Sequence, residues 1–222
     1  MNTDSSLHTS VVSASTTPRR RVTDSATRMF HWLFAASFLG AYITADGERW
    51  RDVHMMLGYL MIGLLAARVL WGLIGPKRVR LTSLYARVTS FKPWLDRLKA
   101  GQSLWPTSWT APQNAVMAAL IVLLLLTTIP LVLSGYMTNA DMAGELMEEL
   151  HEFFGEFYLI LVLAHLALIG AFSLVRHRNL ANPMLTGYLN EKGPDLVKNN
   201  HYWLAACFAA GALAWCVYYL ML

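Results

Sequence analysis

Four of the seven histidines sit in apolar sequence, where an imidazole needs a reason to be. His151 and His165 lie fourteen residues apart in HEFFGEFYLILVLAHLALIGAF. On an α-helix that spacing puts them ~21 Å apart along the axis and ~40° apart around it, so one helix face offers two ligands at two depths. His54 and Arg68 repeat the same interval in a second apolar stretch, and His31 lies at the start of a third. Ionisable or ligating groups inside hydrocarbon are costly and mark function. With successive spans antiparallel, His54 and His151 share one depth, and His31 and His165 share the other.

Two imidazoles at each depth are too few for a metal ion held by protein alone, which takes three or four donors. Haem brings four equatorial nitrogens and needs only axial ligands, so each pair suits one haem. With both axial positions filled by protein, electron transfer is favoured over oxygen binding. Arg68, at the depth of His165, is an intramembrane cation in need of an anion. The spans hold no acidic residue at that depth, and a haem propionate would supply one. Gly58 and Gly155 each follow a histidine by four residues, the same helix face, where a missing side chain leaves room for a flat ring. Close packing of membrane helices is the competing reason for those glycines. The chain has no Cys-x-x-Cys-His for covalent haem attachment. Its two cysteines, Cys207 and Cys216, fall on opposite sides of one helix.

The elements that must carry these residues are membrane helices. Of 222 residues 55% are hydrophobic and 14% charged, and the mean hydropathy is +0.39. Five stretches approach the ~20 apolar residues a bilayer requires: 26–46, 53–75, 115–137, 150–175 and 202–221. Arg28 and His31 make the first the least apolar, and Asp24 or Ser25 is its expected N-cap. Pro130 is expected to kink the third, which otherwise reads as scaffold. Basic residues number four in the tail through Arg28, seven in the 76–114 loop and four in the 176–201 loop. The alternate loops hold only Arg49 and Arg51 and are rich in acids. This asymmetry places the N-terminus on the cytoplasmic side, and five spans then leave the C-terminus outside. It also explains a pI near 9.2 without nucleic-acid binding.

Residues 1–22 read as a disordered cytoplasmic tail whose Arg19, Arg20 and Arg21 lie at lipid headgroups. Residues 23–180 read as the four-helix domain, and 181–222 as a linker and fifth span. Within the 76–114 loop, Phe91, Trp94, Leu95 and Leu98 among Lys92, Arg97 and Lys99 suggest an amphipathic interfacial helix, with Lys77, Arg78 and Arg80 preceding it and Trp105 and Trp109 following. His8, His177 and His201 lie outside the spans and are expected to face solvent.

The segment Val22-Thr23-Asp24-Ser25-Ala26-Thr27-Arg28-Met29-Phe30-His31-Trp32, then His54-x-x-x-Gly58-Tyr59 and Arg68-x-x-Trp71-Gly72-x-x-Gly75, resembles the prokaryotic cytochrome b561 family. That group is similar to the cytochrome b subunits of nickel-iron hydrogenase and formate dehydrogenase. The chain departs from it at Thr23 and Ala26, where the family often has Trp and Pro. The resemblance covers roughly residues 22–180 and implies an all-α transmembrane bundle with a four-helix diheme core. It implies two haem b groups, quinone as a mobile substrate, and a redox partner such as a hydrogenase-like or other dehydrogenase subunit or a periplasmic cytochrome c. The fifth helix resembles the extra span of larger, multi-subunit relatives. The expected function is electron transfer across the membrane as a subunit of a quinone-linked oxidoreductase. Alternatives are a self-contained quinone-coupled enzyme acting on a small oxidant such as superoxide, and a haem or metal transporter.

Overall fold

The computed structural model describes residues 19–75, 80–101 and 110–221. The tail before residue 19, Lys77, Arg78, Trp105 and Trp109 lie outside them.

Helix α1 (Ser25–Ile43) starts at Asp24, whose extended backbone and carboxylate cap the Thr27 N–H at 3.0 Å. A tight turn, Glu48–Trp50, leads into the antiparallel α2 (Arg51–Ile74). The next segment forms two short helices, α3 (Leu81–Thr89) and α4 (Phe91–Lys99), packed against α5. In α4, Trp94 and Leu95 are half-buried while Lys92, Asp96, Arg97 and Lys99 are exposed, the amphipathic arrangement read from the sequence. Helix α5 (Thr110–Asn139) continues through Pro130. It is followed by α6 (Glu145–Val175), the single turn α7 (Asn182–Leu185) and α8 (Tyr202–Met221).

Helices α2, α5, α6 and α8 are long and apolar enough to cross a membrane. Helix α1 has the length, at 19 residues, but falls short in apolarity, as Arg28 and His31 foretell. It is carried by its neighbours, packing along α2 on one side and α8 on the other. Trp215 of α8 donates its indole N–H to the Met56 carbonyl at 3.0 Å, and its ring meets Tyr59.

Helix α6 packs along α5, yet makes no comparably close packing with α1 or α2. The interval is bridged by a core of Phe30, Phe34, Phe38, Met61, Leu64, Leu131 and Tyr158. Phe38, Met61 and Tyr158 each stand seven residues from a histidine of their own helix, and Tyr158 stands seven from both His151 and His165. Seven residues are two turns, or ~10 Å, so this layer lies halfway between the two histidine levels. The Phe38 and Tyr158 rings are 4.5 Å apart.

One end of the bundle is tied by a clasp. Strand β1 (Arg20–Arg21) pairs antiparallel with β2 (Tyr188–Leu189). Arg28 donates to the carbonyls of Met184, Leu185 and Thr186, placing a cation on the C-terminal carbonyls of α7. The Trp32 indole N–H joins it on Met184 at 3.1 Å. Arg20 and Arg178 both pair with Glu191, and Arg21 donates to the Tyr188 hydroxyl, which raises the guanidinium pKa further. Arg20 and Arg21 of the basic triplet are thus held by residues 188–195.

Candidate functional site

The four histidines of α1, α2 and α6 fall at two levels, named here by the clasp end and by the opposite, turn end. At the turn end, the His54 and His151 rings are 5.8 Å apart and perpendicular. Each is oriented by a backbone carbonyl. The last carbonyls of a helix have no N–H four residues on to accept from. Near the end of α1, Ala45 N–H turns to Tyr42, and the Ala41 carbonyl accepts His54 Nδ1–H at 2.8 Å instead. On α5, the Leu131 carbonyl accepts His151 Nδ1–H at 2.9 Å, with Ser134 Oγ 3.5 Å from the same nitrogen. A carbonyl only accepts, so both rings carry their proton on Nδ1 and keep the Nε2 lone pair for a ligand.

Gly135 makes the second arrangement possible. A Cβ there would stand 2.7 Å from His151 Cε1 and 2.9 Å from Nδ1, so the imidazole lies where a side chain would be. Sequence reasoning missed this glycine. The available signal was Ser134-Gly135 closing a Leu-rich span just after Pro130.

A Cβ on Gly58 would meet nothing within 4 Å, and one on Gly155 would meet only Leu131 Cδ1 at 4.0 Å. Either glycine could therefore take a Cβ without a clash. Both line a cavity of about 340 Å³ with His54, His151, Phe38 and Met61. Its outer rim carries Asp46, Arg51, Glu152 and Glu156.

At the clasp end, His165 of α6 lies within electrostatic reach of His31 of α1. The Nδ1 atoms of both are buried without a partner among the described residues, as are Thr27 Oγ1, Arg68 Nη1 and Trp71 Nε1. Arg68 senses the charge of Asp24, the α1 cap, which is only 1% exposed. An acid thus does approach the depth of Arg68, brought from just outside the span. Asp24 Oδ2 also accepts from His201 Nδ1 at 3.1 Å, and the His201 ring meets Trp71 edge-on at 5.2 Å. His201, expected in solvent, is instead largely buried, whereas His177 is exposed as expected. The expectation failed because His201 precedes α8 and reaches α1 across 177 residues of sequence.

These residues fit haem. Two imidazole nitrogens at metal–nitrogen distances of ~2.0 Å on opposite sides of one ion put ring centres ~6.4 Å apart, within ~0.6 Å of the turn-end pair. Among the described residues no group of three or more His, Cys, Asp or Glu converges on a metal site. The open side of two glycines and the separation of α6 from α1 and α2 leave space where a planar group would lie.

A membrane helical bundle presenting paired imidazoles of this kind defines a b-type cytochrome. The model of one family, prokaryotic cytochrome b561, matches residues 22–187, three-quarters of the chain, and the protein belongs to that family. Comparison with curated proteins and with solved structures gave no match. Membership carries haem b binding and electron transfer in a bacterial membrane.

Proposed function

We propose that the protein is a diheme cytochrome b that moves electrons across the inner membrane between the quinone pool and a redox partner, such as a hydrogenase-like or other dehydrogenase subunit or a periplasmic cytochrome c. The observation that carries this reading is the turn-end pair: His54 and His151 face each other at 5.8 Å with both Nδ1–H groups tied to carbonyls. These two would hold one haem, and His31 with His165 the other. When bound, the haems supply reversible one-electron iron chemistry at two depths.

The chain's own residues set the conditions for it. The carbonyls of Ala41 and Leu131 fix the tautomer and orientation of the turn-end imidazoles and make them stronger donors. Phe38, Met61 and Tyr158 fill the height between the levels with apolar side chains, which excludes water from the path. The distribution of Lys and Arg supports the clasp end as cytoplasmic and the turn end as periplasmic. Arg68 supplies positive charge at the inner level, where an anionic propionate would need it.

Reduced-minus-oxidised spectra of purified His54→Ala and His31→Ala variants test the assignment. Each is expected to lose one b-type signal and keep the other. Retention of both signals in either variant would refute it.

A further inference from the structure

Thr27 Oγ1, Arg68 Nη1 and Trp71 Nε1, all near the clasp end, are buried, and among the described residues none of them has anything to donate to. They belong together. Thr27 precedes His31 by one helical turn on the same face of α1, and Arg68 and Trp71 are i, i+3 neighbours on one face of α2. The acid in their midst is already engaged, because Asp24 Oδ1 accepts from the Thr27 N–H and Oδ2 accepts from His201. What the three can still bind must therefore be an acceptor. An indole N–H and a guanidinium cannot accept at all.

The arrangement is held in place from behind. Gly72 lets the Arg68 guanidinium lie where a Cβ would be only 3.0 Å from Nη1. His201 wedges between Asp24 and Trp71 in a left-handed backbone conformation, φ +48°, that a non-glycine residue adopts only when its surroundings hold it there. His201 lies beyond the residues that match the family.

We propose that Thr27, Arg68 and Trp71 form the seat for the carboxylate groups of the inner haem, and that His201, delivered by the lead-in to α8, is the positioning residue that fixes Asp24 and Trp71 around it. This rests on the diheme reading above. It gives the fifth helix a part in the chemistry of a site whose ligands lie on other helices. Donors on a propionate offset its negative charge, so removing one favours the ferric state and lowers the midpoint potential of that haem alone.

The test is an optical redox titration of the full-length chain in detergent, comparing the unaltered protein with Trp71→Phe, Thr27→Val and His201→Ala. Trp71→Phe and Thr27→Val are each expected to shift one midpoint downward by about threefold to tenfold in the oxidised-to-reduced ratio, ~30–60 mV at about 59 mV per tenfold for one electron. The shifted component should be the one missing from His31→Ala. His201→Ala should shift the same component without touching the other. A packing role alone would lower haem content or thermal stability and leave both potentials in place. Two haems whose midpoints stay fixed in both Trp71→Phe and Thr27→Val, or a shift confined to the outer haem, overturn the seat and leave the diheme reading standing. A single haem in the unaltered chain overturns that reading and the seat with it. If Trp71→Phe does not fold, Thr27→Val decides, since it keeps the shape of the residue and removes only the hydroxyl.

Discussion

Gly135→Ala asks the most of the turn-end geometry for the smallest chemical change. The added methyl would begin 2.7 Å from His151 Cε1 and 2.9 Å from Nδ1, and ordinary contact begins near 3.4 Å. The imidazole must therefore retreat by ~0.7 Å. A retreat of that size lengthens the 2.9 Å bond to the Leu131 carbonyl to ~3.6 Å, which is no longer a hydrogen bond. Overpacking of this kind costs about 1–3 kcal/mol, and losing the partner that orients a metal-ligating histidine lowers metal affinity about 10–100-fold. Against this, Ala is the better helix former by about 1 kcal/mol, so the helix itself should survive. The expected outcome is a folded protein that has lost most of its outer haem and kept the inner one. Haem-to-protein ratio and the reduced-minus-oxidised spectrum measure both. A variant that holds two haems at the unaltered stoichiometry and midpoints would refute the claim that Gly135 seats the ligand.

Gly58→Ala is the converse case: the methyl enters open space, so the haem-free chain should gain up to ~1 kcal/mol of helix stability while outer-haem loading falls. Asp24→Asn keeps a good N-cap but loses the charge facing Arg68 and His201. Denaturation in detergent should show a loss of about 1–3 kcal/mol, with Asp24→Ala costing about 1 kcal/mol more. Trp215→Phe removes the indole bond to Met56 and should cost about 1 kcal/mol in thermal unfolding while leaving haem content unchanged.

The sequence revealed the histidine levels because their spacing is a local, periodic property of single helices. His54 and His151 could be matched in depth without knowing how α2 and α6 meet. Gly135 was not legible, because its importance lies in a ring carried by another helix across a turn. Asp24 was read as a cap from its place before α1, but its bond to His201 joins residues 177 apart in the chain and has no periodic trace. The clasp was hidden likewise. Arg28 looks like one more topological charge until the carbonyls of residues 184–186 converge on it.

That clasp also sets an order in time. Arg28 is synthesised 156 residues before the Met184 carbonyl that receives it. At about 5–20 residues per second, α1, the least apolar of the long helices, waits roughly 8–30 s for the partners that close its end. Asp24 waits longer still for His201. Throughout that interval the chain has no clasp to shut the histidine level at that end, so assembly at that level precedes closure, and the last helix to be made is the one that locks the first.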